Sequence, residues 1–505
     1  MDSDTTNPNS RPCSKKIVVC CDGTGYREHS GTLITNVSRI SRCIRPFHKE
    51  AEVPQVVYYQ SGVGTETWTL SSLFRQAFGK GIHERIMEAY SFICHNYHCE
   101  NDEIYLIGYS RGAFTARCIA HLIHDVGLLK KSGLYHLPKV FSLWKGHDGN
   151  WKTEIDGLLN TDSGNGQSPQ SLLRKDIRIK VCALWDTVSS LGFPWPAWLW
   201  WLQWPAWLQW PVTGNMKFVD SDLCPSIEHA FQALSLQERR HHFLPIVWKL
   251  PAQHPTLGEK RVLEQCWFLG YHGDIGGGNQ EESLAQFALV WILSKLKGYL
   301  DFDEENIWKP ASETSNWTWM QPIDQKEAKV KVNATVKDSF RGIFTLGGST
   351  HRKPRKHFWC PSHGEYKHDD FVSYEGIHVT VRILRELKAA PPCALLKEYE
   401  SGSWNITDTV GIYNVEESKW NNTELHLLRR WLDQEATIVQ KMGKEKIGNN
   451  GENKGSKVEN EESNTLVALL LAKVQELLSV KSLRQELLSV KPPRQDADCS
   501  LRVEL

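Results

Sequence analysis

Apolar and polar residues divide the chain into short unbroken apolar runs separated by stretches with helical spacing. Ile17 to Cys21 (IVVCC), Ile104 to Ile107, Ile177 to Trp185 (IRIKVCALW) and Glu264 to Gly270 (EQCWFLG) are apolar enough to be strands covered on both faces, as in a parallel sheet. Val53 to Tyr59 alternates and branches like another strand, and Asn36 to Cys43 reads as a helix. From Gly81 to Tyr97, residues Ile82, Ile86, Ala89, Tyr90 and Ile93 share one helical face. Pro225 to Leu236, Ser283 to Leu296, Ile377 to Leu387 and Glu424 to Lys441 also read as helices, the last amphipathic. Strand and helix in alternation predict an α/β fold with a mostly parallel sheet and right-handed crossovers. In such open sheets, reactive groups collect at the carboxyl ends of the strands.

The run Glu103 to Arg117, EIYLIGYSRGAFTAR, carries the strongest chemical signal. A buried strand, the turn Gly108-Tyr109-Ser110-Arg111-Gly112 and an immediate helix match a nucleophile elbow: the glycines allow close backbone approach and the serine hydroxyl points off the sheet edge. A structural polar turn is the plain alternative. The strand Ile177 to Trp185 ends in Asp186-Thr187, and Glu264 to Gly270 ends in Tyr271-His272-Gly273-Asp274. Serine, aspartate and histidine therefore each follow a strand, in the chain order that α/β-hydrolases use. The competing readings are a turn or helix cap for Asp186, and a satisfied core histidine for His272 in a chain with 20 histidines. His378 is the alternative base, and the pair His241-His242 is read as a solvated or interdomain face of a helix.

Ile17 to Cys21 runs into Asp22-Gly23-Thr24-Gly25. This turn is either a plain strand end, an oxyanion support, or the remnant of an aspartyl-phosphatase turn of the haloacid dehalogenase type; Cys20 stands where the last would need its nucleophile. In the hydrolase reading the oxyanion faces the Arg111 N–H, with Gly23 and Thr24 as further donors, while Asp22 stands behind the site and Asp274 is either a partner of the histidine or a residue shaping the glycine turn.

Together, DGTG, GVGT at 62–65, GYSRGAFTAR at 108–117, LWDTVSSLG at 184–192, LQERRHHFLP at 236–245 and HGDIGGG at 272–278 resemble the DUF2235 family, which includes the Tle1-like phospholipase effectors of bacterial type VI secretion and many uncharacterised fungal proteins. The similarity runs from about Val18 to Ile292 and, more weakly, to about residue 385. It implies an α/β-hydrolase fold, with Ser110 as nucleophile, Asp186 orienting the imidazole and His272 as general base. Gln237 departs from the family, which tends to have aspartate before Glu-Arg-Arg, and puts a polar contact near the site in question.

Composition narrows the function. Lys plus Arg and Asp plus Glu are both 59, so no global field recruits nucleic acid. Thirteen dispersed cysteines without paired spacing argue for reduced thiols and against a structural metal site. The expected chemistry needs no metal or organic cofactor. A polar start (residues 1–14) without an apolar core, and no clear transmembrane helix, make a cytoplasmic address with peripheral membrane contact the expectation. Leu191 to Met216 holds seven tryptophans and no charge, with WPAWL at 195–199 repeated at 204–208. Its prolines oppose a continuous helix, so the segment is expected to be a lid or interfacial patch, with Trp195 to Trp210 touching membrane, or else a packing hairpin. The basic cluster His351 to His357 is read as a solvated loop or a phosphate contact.

The hydrolase domain is expected over 15–440, followed by a disordered linker over 441–465, a helix over 466–491 that repeats QELLSVK, and a tail over 492–505. That helix cannot bury its own leucines and is expected to dock on a partner, on a second copy of itself, or back on the body. Three functions remain: a serine hydrolase of carboxylic esters, with lipid esters first, a non-catalytic scaffold that binds membrane or partners through the tryptophans, and an acyltransferase that passes the acyl group to an alcohol instead of water.

Overall fold

The computed structural model describes residues 14–23, 34–49, 52–62, 80–161, 170–188, 219, 221–251, 262–279, 283–308, 320–324, 329–332, 336, 349–355, 371–386, 393, 396–400, 402–407, 412–428 and 430–431. The Trp-rich segment 191–216, the linker 441–465, the repeat helix 466–491 and the tail 492–505 lie outside these residues. The chain divides into one unit of Met1–Trp319 with Ala334–Lys419, and a second of Met320–Asn333 with Trp420–Leu505. Within the second, strands Met320–Asp324 and Lys329–Val332 pair antiparallel, and residues 422–428 are helical.

The first unit is built on its apolar runs. Strand β1 (Lys16–Cys21) has no exposed position after its first residue, so both of its faces need cover. It lies between β3 (Val53–Gln60) and β4 (Glu103–Tyr109), parallel to each. On one face Ile17, Val19, Ile104, Leu106, Cys182 and Leu184 share a core with two helices, α2 (Lys80–Asn96) through Ile86, Tyr90 and Ile93, and α3 (Arg111–Val126) through Ile119 and Ile123. Each such aliphatic side chain contributes about 1.5–3 kcal/mol when withdrawn from water. Alternate residues Val18, Cys20, Ile107 and Ala183 are equally buried. Helices α1 (Asn36–Cys43) and α7 (Ser283–Leu296) lie against the strands as well.

Among the described residues the sheet has eleven strands, in the order β9-β10-β11-β8-β7-β6-β5-β4-β1-β3-β2. The remaining members are β2 (Phe47–His48), β5 (Ile179–Trp185), β6 (Ile227–Ser235), β7 (Val262–Phe268), β8 (Glu375–His378), β9 (Leu396–Glu400), β10 (Ser403–Thr407) and β11 (Ile412–Ser418). Pairing is parallel from β3 across to β8 and on to β11, and antiparallel only at the two margins, β2 with β3 and β9-β10-β11. The molecule thus has the mostly parallel α/β sheet the sequence predicts.

Three elements differ from the expectation. Pro225 to Leu236 is not a helix: Ile227–Ser235 is β6, hydrogen-bonded on both sides to β5 and β7. Helix formers such as Ala230, Gln232, Ala233 and Leu234 favour the other state locally, but tertiary pairing overrides propensity. Gln232 joins its neighbours across the sheet, donating to Gln265 Oε1 at 2.9 Å and accepting from the Thr187 hydroxyl. The second difference is that the helix expected from Ile377 begins at Val379 (α8, Val379–Glu386), because Glu375–His378 is already committed to pairing with β7. Likewise His241–Phe243 is a single 3₁₀ turn rather than part of a longer helix, and His241 Nδ1 meets the Thr350 hydroxyl at 2.8 Å.

Candidate active site

β4 delivers Ser110 at its carboxyl end, with φ 57° and ψ −122°, a left-handed conformation that a non-glycine residue adopts only under strain. The turn is so tight because α3 starts at the next residue and packs on β1. A Cβ on Gly112 would lie 2.2 Å from the Cys21 carbonyl oxygen, and one on Gly108 2.7 Å from Ala113 Cα. The Ser110 N–H donates to the Trp185 carbonyl at 2.9 Å, which pins the elbow to the end of β5.

β5 delivers Asp186 in the same way, with a positive φ of 44° and its N–H bonded to Ala233 at 2.8 Å. β7 ends at Phe268, and after Gly270 the short helix α6 (His272–Gly276) opens with the histidine. His272 Nε2 lies 2.8 Å from Ser110 Oγ, and its Nδ1 lies 2.5 Å from Asp186 Oδ2. All three side chains are buried. Tyr109 stacks on the imidazole with ring centroids 4.9 Å apart and donates its hydroxyl to the His272 carbonyl, while Phe243 meets the ring edge-on at 5.0 Å.

The charges are ordered as a relay needs. Burial pushes the Asp186 carboxyl up, but the Arg352 charge and then the bond from His272 outweigh it, leaving it below the ordinary carboxylate range. Burial lowers His272 from its usual value, against the opposing pull of Asp186. At neutral pH the pair is therefore carboxylate and neutral imidazole. The proton sits on Nδ1, and the Nε2 lone pair faces the serine hydroxyl.

Two charged residues that sequence patterns did not single out complete the surroundings. Arg352, only 1% exposed, donates Nη1 to Asp186 Oδ1 at 2.5 Å and to the Ser235 carbonyl at 3.0 Å, and Nη2 to the Phe243 carbonyl. It comes from the cluster His351 to His357, so for this member the solvated-loop and phosphate-contact readings do not hold; within a run of basic residues nothing local marks the one that turns inward. Glu238 is also buried, holds Arg240 through Nε and Nη2 at 2.8 and 2.7 Å, and accepts the His272 N–H at 3.3 Å. The Glu-Arg-Arg motif was the available signal for it.

The other expected residues fall as follows. The Arg111 N–H, at the first position of α3, has no acceptor among the described residues. Gly23 lies beside the elbow, but its N–H donates to Asp22 Oδ1 at 2.6 Å; Thr24 is outside the described residues. Asp22 is buried and pushed up to about 6 by that burial, against hydrogen bonds from Thr35 and Tyr59 at 2.6 and 2.7 Å. Asp274 accepts from the Tyr271 N–H at 2.9 Å and from Asn279 at 3.1 Å, shaping the turn that presents His272. Gln237 accepts from the Gly270 N–H at 2.9 Å in the same turn, a neutral acceptor beside the strand end that presents His272. His378 ends β8, bonded to Thr380 at 2.8 Å and stacked on Phe268 at 4.5 Å. Four strand spacings separate it from β4, roughly 19 Å, too far to serve Ser110.

A family model described as the catalytic domain of Tle1-like phospholipase effectors of type VI secretion matches residues 15–295. The chain belongs to this family. The family is described by the catalytic domain of a phospholipase effector. An uncharacterised protein of Saccharomyces cerevisiae is 28% identical over 284 residues, 52% of this chain and 37% of that one. The chain thus spans little more than a third of the length of that relative. Among solved structures, an uncharacterised protein from Pseudomonas aeruginosa superposes with a TM-score of 0.33 at 17% identity, covering 60% of this chain and 48% of the other. The Tle1 effector bound to the VgrG spike of the type 6 secretion system superposes with a TM-score of 0.27 at 18% identity, covering 54% and 52%. No helix among the described residues is long and apolar enough to cross a membrane.

Proposed function

We propose that the protein is a serine hydrolase of carboxylic esters in lipids. The observation that carries this reading is the continuous line from Ser110 Oγ to His272 Nε2 at 2.8 Å and from His272 Nδ1 to Asp186 Oδ2 at 2.5 Å. Ser110 attacks the acyl carbonyl as His272 takes its proton, and Asp186 stabilises the imidazolium. The oxyanion faces the Arg111 N–H at the start of α3, where the helix dipole favours negative charge. Collapse breaks the C–O bond, and the leaving alkoxide takes the proton from His272. Water then gives a proton to His272 and its hydroxide to the acyl carbon, releasing a fatty acid and restoring Ser110. The charge-free tryptophans between Trp195 and Trp210 are the proposed contact with the lipid surface.

The test uses phospholipid vesicles and fatty-acid release. Wild type should hydrolyse them, and Ser110→Ala should lose at least about 10³-fold in kcat. Since burial holds His272 below its usual value near 6.5 and the neutral ring is the active form, kcat/KM should stay level through neutral pH and fall with unit slope only below about 6.5. Stability carries the same sign: below pH 6.5 the unfolded chain binds the proton that folded His272 refuses, so acid weakens the fold. Equal turnover by Ser110→Ala would remove Ser110 as the nucleophile, and vesicle binding without any hydrolysis by wild type would replace the enzyme by the scaffold alternative.

A further inference from the structure

Asp186 has two oxygens with different occupations. Oδ2 faces the imidazole, whereas Oδ1 accepts both the Ser235 N–H at 3.1 Å and Arg352 Nη1 at 2.5 Å. The same guanidinium also reaches the Ser235 carbonyl at the end of β6 and the Phe243 carbonyl, the residue whose ring abuts His272. A planar fork of fixed donors can make these bonds at once; a single ammonium cannot. Arg352 lies beyond residues 15–295, the stretch matched by the catalytic-domain family.

We propose that Arg352 is a positioning residue of the Ser110–His272–Asp186 relay, holding Asp186 in register and setting the pH at which the relay takes up its proton. This inference rests on the hydrolase reading above. Without Arg352, the buried pair of Asp186 and neutral His272 would carry one uncompensated negative charge. Taking up a proton removes that charge, whether the proton resides on the imidazole or on the carboxylate. The cation therefore moves proton uptake to lower pH and keeps His272 competent as a base in mild acid. The Arg240 charge also lowers His272, but its ion-pair partner Glu238 raises it in turn, so that pair does not stand in for the cation on Asp186. Arg240 is held by Glu238, whose other contact is the His272 backbone, and Asp274 is turned to the Tyr271 N–H and Asn279. Tyr109 gives its hydroxyl to the His272 carbonyl.

The test measures the rate of covalent labelling by a fluorophosphonate probe against pH, which reports serine activation without knowledge of the natural substrate. Wild type, Arg352→Met and Arg352→Lys are compared. Arg352→Met should move the acid limb upward by roughly one pH unit. Arg352→Lys keeps the charge but not the fork, so its limb should stay near that of wild type while its plateau rate falls about tenfold. An Arg352→Met limb at the wild-type pH would overturn the inference, because a merely structural arginine would lower the rate at every pH alike. If Arg352→Met does not fold, Arg352→Gln, which keeps hydrogen-bond donors without the charge, is read in the same way: an acid limb moved upward by roughly one pH unit supports the inference, and a limb at the wild-type pH overturns it. Absence of labelling in wild type would instead remove the hydrolase reading itself.

Discussion

Asp186→Asn should lower kcat by about 10³–10⁴-fold while leaving the fold intact. The reason lies on the side of the carboxylate away from the histidine. The Oδ1 position is surrounded by donors, the Ser235 N–H and Arg352 Nη1, so the asparagine must place its oxygen there. Its amide NH₂ then points at His272 Nδ1. An imidazole that accepts at Nδ1 carries its proton on Nε2, which faces Ser110 and can no longer receive the hydroxyl proton. Steady-state turnover of an activated ester, with circular dichroism as the folding control, checks this. A loss below tenfold in a folded variant would mean that Asp186 does not set the tautomer.

Gly112→Val should destabilise the first unit by about 3 kcal/mol or more, a large share of a domain's net stability. The obstacle is backbone. Even the first carbon of the new side chain would meet the Cys21 carbonyl oxygen at 2.2 Å and the Asp22 carbonyl oxygen at 2.6 Å. Neither can move without separating α3 from β1, the contact that holds Ser110 at the sheet edge. The midpoint of urea unfolding is the measurement, and a midpoint unchanged from wild type would show that the elbow is not packed as described.

These two positions illustrate what a linear chain discloses. The elbow was legible because its requirements are local: an apolar strand, two glycines at fixed offsets and a helix of small residues all lie between Glu103 and Arg117. The strand ends that carry Asp186 and His272 were legible for the same reason, since β5 and β7 are apolar on both faces. β6 was not, because IEHAFQALS is rich in helix formers and becomes a strand only when β5 and β7 offer their edges. The buried pair Gln232 and Gln265, which locks that arrangement, joins residues on separate strands and leaves no periodic trace. Arg352 was illegible on similar grounds. It lies 166 residues from Asp186 in a run of basic residues, and only the folded chain distinguishes it from the exposed His351 beside it. His378 shows the converse: a histidine at a strand end resembles a base in sequence, yet strand order sets it apart from the serine.

Activation of the Ser110 hydroxyl by His272 is the step on which the proposed hydrolysis depends. The most direct measurement is peptide mapping by mass spectrometry after treatment with a fluorophosphonate, on wild type and on His272→Ala. The expected result is a single adduct on Ser110 in wild type, with its rate of formation at least about 10³-fold lower in the variant. An adduct elsewhere in the chain, or equal rates in both proteins, would contradict it.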